Sequence, residues 1–179
     1  MKKTDIKKTI IFTVAVFIAT LSGALMPLSE GAYIHIGDAA VYMAAIMLPA
    51  PLACVAAAVG AGACDILLGS GMYLLPTLII KPLTVYACRF LWKLFKDKSV
   101  ADLVCCGAGV VTIAGYFVSQ LIISGSIGAA VDGIMFNSVQ ALASAVVFLM
   151  FINVVRKICD ALAKRAKAKQ EEQNESSDL

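Results

Sequence analysis

Long uncharged hydrophobic runs, separated by short breaks rich in proline, glycine and charge, make up most of this chain of 179 residues. About 20 helical residues cross the hydrocarbon core of a bilayer, and most of the runs approach that length. The first run follows a basic start but is longer than the core of a signal peptide, so we interpret it as a retained membrane helix. The sequence therefore predicts an all-α integral membrane protein, a single-domain bundle of six transmembrane helices, over residues 9–26, 37–48, 51–68, 75–91, 103–123 and 133–155.

Lysine and arginine are distributed unevenly around these runs. Of the 15 basic residues, four precede the first run, four lie between Arg89 and Lys98, six follow the sixth run, and Lys81 lies inside the fourth. The three connections on the other side contain none. By the positive-inside rule, both termini are predicted to be cytoplasmic in a multi-pass protein of the cell membrane. The polar tail over residues 160–179, basic and then acidic, is predicted to be solvated and disordered.

Composition excludes several classes of function. The chain is 60% hydrophobic and 15% charged with a net charge of +3, which is typical of a membrane protein in contact with lipid and not of a nucleic-acid-binding protein. Its six cysteines form no CxxC pair, and His35, the single histidine, has no nucleophile or metal ligand at a useful spacing. We therefore predict no catalytic residue, no metal and no cofactor.

Two opposite charges lie inside the runs, where an unpaired charge is costly. Asp65 on the third run and Lys81 on the fourth are expected at similar depth in the outer half of the membrane. One interpretation is a buried ion pair that fixes these two helices. The other is that at least one of them lines a ligand cavity, and both interpretations can hold together.

Further polar and aromatic side chains are expected near the same layer. Amides offer both donors and acceptors, and tyrosine rings stack on flat ligands, although interhelical hydrogen bonds and interfacial anchoring are the alternative roles. The pattern indicates a site for a small polar ligand. Its candidate residues, with the two charges above, are Tyr33, Asp38, Tyr73, Tyr116, Gln120, Asn137 and Gln140.

Small residues recur at a spacing of four on the first run, at Ala15, Ala19 and Gly23. This spacing allows another helix to approach closely. The approaching helix belongs either to this protein or to a partner membrane protein, and the spacing alone does not distinguish the two.

Five short motifs occur in order between Tyr33 and Arg156. They are YIHIGDA from Tyr33, CDILLG from Cys64, PTLIIKP from Pro76, GYF from Gly115 and FNSVQ from Phe136. In this combination the chain resembles the S components of energy-coupling factor (ECF) vitamin transporters, and it is most similar to the subfamily that takes up hydroxymethylpyrimidine and vitamin B6.

The resemblance implies a six-helix subunit that binds a vitamin or vitamin precursor from outside. It also implies partners, namely a transmembrane coupling subunit driven by two cytoplasmic ATPase subunits, with Ala15, Ala19 and Gly23 at the docking surface. We therefore expect the substrate-binding subunit of an ECF importer. The alternatives are a stand-alone facilitator or channel, or a small integral-membrane enzyme or structural subunit.

Overall fold

The computed structural model describes residues 3–25 and 35–177, with side chains for residues 5–23, 25 and 35–165. This part of the chain is almost entirely helical, and short 3-10 turns join some of the helices. The helices are α1 (Lys3–Leu21), α2 (Gly37–Met47), α3 (Ala50–Leu67), α4 (Leu74–Lys93), α5 (Lys98–Cys105), α6 (Gly109–Ser124) and α7 (Ile127–Ser177).

Four stretches of the described chain are long and apolar enough to cross a membrane. They are Ala50–Leu67, Gly71–Lys93, Lys98–Ser124 and Ile127–Arg165, and α2 is a shorter apolar helix. The third stretch combines α5 and α6, which a 3-10 turn joins into one run. The fold is thus all-helical and membrane-embedded, as predicted. Two helices are not among the four stretches: α1 carries charged residues in its first turns, and α2 is only about 16 Å long.

Proline and glycine mark several of the breaks between helices. Pro49 precedes α3, where a proline costs no helical hydrogen bond. Gly125 ends α6 with a positive φ of 65°, a backbone conformation that glycine adopts without strain. Pro82 lies inside α4, which continues past it to Lys93.

The last helix differs from the predicted sixth segment. It begins at Ile127, before the expected residue 133, and continues to Ser177 through the tail that we expected to be disordered. Alanine, lysine, arginine and glutamate dominate this tail, and all four have high helix propensity. No proline or glycine interrupts the helix after Gly133.

The core forms around α2, in which every residue from Gly37 to Ala45 is buried. This helix packs against α1, α3, α4 and α7. Small residues allow the close packing that stabilises helix pairs in lipid. At Gly60 on α3, a Cβ atom would lie 2.6 Å from the carbonyl oxygen of Thr13 on α1, so only glycine permits this approach.

The two ends of the bundle differ in chemistry. At one end, which we call the polar end, α2 and α4 begin and α3 and α6 end. The opposite end, at which α1 begins, is called the terminal end. At the terminal end, Arg156 on α7 forms a two-bonded ion pair with Asp102 on α5, at 2.6 Å for each bond, and Trp92 donates to the same carboxylate at 3.0 Å. This cluster joins α4, α5 and α7.

Candidate functional site

A fully buried ion pair lies at the polar end. Nζ of Lys81 on α4 lies 2.5 Å from Oδ1 of Asp38 in the first turn of α2, and both side chains are at most 1% exposed. We expected Asp65 to be the counter-ion of Lys81, and the structure corrects this assignment. Asp65 is buried, but its attraction to Lys81 is weaker than that of Asp38.

Helix electrostatics give a physical reason for the choice of partner. Asp38 lies at the start of α2, where the positive end of the helix dipole favours a carboxylate. Asp65 lies in the last turn of α3, where the dipole has the opposite effect. In addition, α2 packs directly against α4, so Asp38 reaches Lys81 from the centre of the bundle.

A row of polar contacts, which we call the α4–α6 seam, continues from this pair along the two helices. Tyr73 donates to the side-chain oxygen of Gln120, and the Thr77 and Tyr116 hydroxyl oxygens lie 2.8 Å apart. The ring of Tyr116 also faces Lys81, with Nζ 5.4 Å from its centroid, a distance at which a cation interacts favourably with an aromatic ring.

The seam ends deeper in the bundle at two threonines that the sequence analysis missed. Oγ1 of Thr84 lies 3.1 Å from Oγ1 of Thr112, and both residues are fully buried. Thr77 was missed as well. The signal was present, because Thr77 and Thr84 lie one turn on either side of Lys81 and Thr112 lies one turn before Tyr116.

The other predicted ligand residues divide into three cases. Gln140 on α7 is buried, whereas the half-buried Asn137 donates to the carbonyl oxygen of Gly133 in its own helix at 2.9 Å. Tyr33 lies outside the described residues. The structure thus brings Asp38, Tyr73, Lys81, Tyr116 and Gln120 into one connected set of contacts.

His35 lies close to Lys81 and Asp38 and, unlike most histidines in loops, its side chain is buried. It is 7% exposed, and its Nδ1 accepts a hydrogen bond from the backbone N–H of Gly37 at 2.9 Å. Burial away from water, with a further contribution from the positive charge of Lys81, lowers the pKa of His35 to about 3. The imidazole is therefore neutral at physiological pH.

The exposed side of α4 and α6 carries an apolar groove. Its volume is about 480 Å³, and it is lined by residues such as Ile79, Leu83 and Val118, each of which is more than half exposed. Its lining is apolar except for Ser119, whose hydroxyl already donates to the carbonyl oxygen of Gly115, so the groove offers few partners to a polar ligand. Across residues 3–25 and 35–177, no three His, Cys, Asp or Glu side chains converge in a metal-binding arrangement.

The three small residues of α1 fall into two environments. Ala15 and Ala19 are half-buried and pack against the core, next to an exposed apolar stripe that contains Ile11, Val14 and Ile18. Gly23 is buried within the subunit itself.

Comparison with known proteins identifies the family. A family model described as the ECF-type riboflavin transporter, S component, matches residues 3–157. Comparison with curated proteins returned no match, and comparison with solved structures returned none either. The match names the riboflavin family and does not single out the hydroxymethylpyrimidine and vitamin B6 subfamily that the resemblance favoured. With four apolar stretches of membrane length among its described residues, this multi-pass protein of the plasma membrane belongs to the family of ECF-type riboflavin transporter S components, the substrate-binding subunits of ECF transporters.

Proposed function

We propose that this subunit captures a small, flat, hydroxylated nitrogen heterocycle at the polar end of the bundle. The observation that carries the proposal is the buried Lys81–Asp38 pair, in contact with the ring of Tyr116. A charged pair within a membrane span is costly unless it serves packing or a ligand. Here the neighbouring Tyr73, Tyr116 and Gln120 are only half-buried, so polar and aromatic groups remain accessible beside the charges.

The chemistry of these groups favours a vitamin or vitamin precursor. Tyrosine rings contact the faces or edges of a flat heterocycle, and the amide of Gln120 and the two charges offer donors and acceptors to ring nitrogens and hydroxyls. Hydroxymethylpyrimidine and B6 vitamers have this chemistry. Riboflavin, which the matched family description names, belongs to the same chemical class and is the third candidate.

Six spans with both termini in the cytoplasm are the topology that we propose. The four long apolar stretches supply four spans, and α1 and α2 with their flanking residues supply the other two. Basic residues cluster towards the terminal end, at Lys7, Lys8 and the loop after α4, as the positive-inside rule requires of a cytoplasmic face. The ligand would then enter at the polar end from outside.

Uptake against a gradient requires partners, because the sequence has no Walker-type nucleotide motif of its own. S components of ECF transporters work with a module of a transmembrane subunit and ATPases. We propose that a coupling subunit docks on the exposed stripe of α1 beside Ala15 and Ala19, with two cytoplasmic ATPases below it. Gly23, which is buried, would support α1 from within.

Ligand binding tests the proposal directly. The purified subunit is titrated calorimetrically with riboflavin, hydroxymethylpyrimidine and pyridoxine, and small molecules that co-purify with it are identified by mass spectrometry. We expect tight binding of one of the three, because a preorganised site loses little entropy on binding. Binding of only a lipid, a peptide or a metal would contradict it, and uptake into vesicles by the subunit alone would favour a facilitator.

A further inference from the structure

Two hydroxyl groups lie buried below the Lys81–Asp38 pair without a hydrogen-bond partner among the described residues. They are the phenol oxygen of Tyr42 on α2 and Oγ of Ser144 on α7, and both residues are 0% exposed. The second carboxylate oxygen of Asp38, Oδ2, is likewise buried and has no partner at normal hydrogen-bond geometry in this part of the chain, and the side chain of Thr112 on α6 lies next to this carboxylate. Unpaired buried polar groups are rare in proteins, and each one needs an explanation.

The packing around Tyr42 brings its hydroxyl between α6 and α7. A Cβ atom at Gly109 on α6 would lie 3.0 Å from this oxygen and 2.9 Å from Cβ of Ala141 on α7, so the missing side chain leaves room for the hydroxyl. The ring of Tyr42 meets the ring of Phe148 edge to face, with centroids 5.8 Å apart.

Ser144 lies on the face of α7 that contacts this tyrosine. It follows Ala141 by three residues and precedes Phe148 by four, and both neighbours lie beside the Tyr42 side chain. Asp38 precedes Tyr42 by one turn of α2 and is therefore on the same side of that helix. Asp38, Tyr42 and Ser144 therefore lie along the contact between α2 and α7, next to Gly109 of α6.

The chemistry of the region selects a neutral ligand. Asp38 is already neutralised by Lys81, so a cation would meet the nearby ammonium group without a free negative charge to balance it. Two hydroxyls and a carboxylate oxygen offer donors as well as acceptors. An oxygen that itself both donates and accepts, as in water or an alcohol, satisfies all of them.

We propose that Tyr42, Ser144 and Asp38 Oδ2 form a buried binding site for one hydroxyl-type oxygen, one turn deeper than the ion pair. The oxygen comes either from a bound water or from a hydroxyl group of the transported molecule. Only the second source rests on the proposed function. The site links α2 to α7 through hydrogen bonds in the centre of the bundle.

The first test is hydroxyl-radical footprinting by X-ray radiolysis of the full-length protein in nanodiscs, because radicals form at bound waters. We expect Tyr42 to be oxidised at least tenfold faster than Phe12, an aromatic residue that is similarly buried in the core. Ser144→Val, which fills the site with methyl groups, should lower the rate at Tyr42 to that at Phe12. Equal rates at Tyr42 and Phe12 in the unaltered protein would overturn the proposal.

Repeating the measurement with saturating riboflavin, and separately with hydroxymethylpyrimidine, distinguishes the two sources. A several-fold drop at Tyr42 assigns the oxygen to the ligand, and an unchanged rate assigns it to water. If neither compound binds, the proposed function is contradicted. The comparison of oxidation rates at Tyr42 and Phe12 without ligand still tests whether a water occupies the buried site.

A second test uses the sign of a stability change. If the Tyr42 hydroxyl has a partner, Tyr42→Phe removes a hydrogen bond and lowers the melting temperature. If the hydroxyl is unpaired, the same substitution removes a desolvated polar group and raises the melting temperature, which would overturn the proposal. Thr84→Val, at a buried hydroxyl that already has partners, is the control and should lower the melting temperature.

Discussion

Lys81 on α4 holds Asp38 at the beginning of α2, with Nζ 2.5 Å from Oδ1. Eight residues further along α4, Arg89 donates from Nη1 to the backbone carbonyl oxygens of Ala45 and, at 2.6 Å, Leu48, at the end of α2. Those carbonyls have no partner within their own helix. One helix therefore fixes both ends of the buried α2 with two cations.

The ion pair leads to the first prediction. Lys81→Met leaves the carboxylate of Asp38 buried and unpaired, and we expect a loss of roughly 3–5 kcal/mol in the free energy of unfolding. The double variant Lys81→Met/Asp38→Leu should recover most of this loss. The free energy is measured by denaturant titration, with the fluorescence of Trp92, the single tryptophan, as the signal.

Ligand affinity in the same variants separates a structural role from a binding role. If the pair contacts the heterocycle, affinity stays lost in the stable double variant. Recovery of both stability and affinity would show that Lys81 and Asp38 only hold the helices together.

Two hydroxyl contacts of the α4–α6 seam provide a matched pair of variants for the second prediction. Tyr116→Phe and Thr112→Val each remove one hydroxyl from the seam, and each should cost about 1 kcal/mol of stability. Of these two residues, Tyr116 is half-buried, whereas Thr112 is fully buried. Calorimetry is therefore expected to show weaker heterocycle binding for Tyr116→Phe and nearly normal binding for Thr112→Val, and equal losses would place the ligand elsewhere.

Docking through α1 is the subject of the third prediction. Ala15→Trp and Ala19→Trp add bulk beside the exposed stripe and should block close helix approach. We expect both variants to bind ligand in detergent but to lose ATP-driven uptake when reconstituted with the coupling subunit and ATPases. Leu142→Trp, at a site 70% exposed on α7, is the control and should transport normally. Undiminished uptake by the α1 variants would show that the coupling subunit docks on a different surface.

The fourth prediction concerns pH. The folded pKa of His35, about 3, lies below its ordinary value of 6.5 because the side chain is buried and faces the positive charge of Lys81, which outweighs the attraction of Asp38. The unfolded chain then binds more protons than the folded one between these values, so stability is full above about pH 6.5 and falls as the pH drops towards 3.

Melting temperatures at pH 7.5 and pH 5.0, again followed by Trp92 fluorescence, measure this effect. His35→Asn retains an acceptor for the Gly37 N–H but does not titrate in this range. Its melting temperature should therefore fall less between the two pH values than that of the unaltered protein. Parallel losses would assign the pH dependence to other groups.

Hydropathy along the chain was sufficient to predict an all-helical fold and its location in a membrane. Both are local consequences of composition, because a lipid environment requires uninterrupted apolar helices whose backbone groups bond internally. Pro49 and Gly125 end segments through their own backbone preferences, and these also operate locally.

Only the tertiary structure decided which side chains meet. Asp38 and Asp65 are both acidic residues at the polar end, and the choice between them depends on α2 lying in the centre of the bundle against α4. The burial of Gly23 and the pairing of Thr84 with Thr112 depend in the same way on how each helix is rotated. Close contacts such as that at Gly60 set this rotation, and they involve residues far apart in the chain, which a local pattern does not encode.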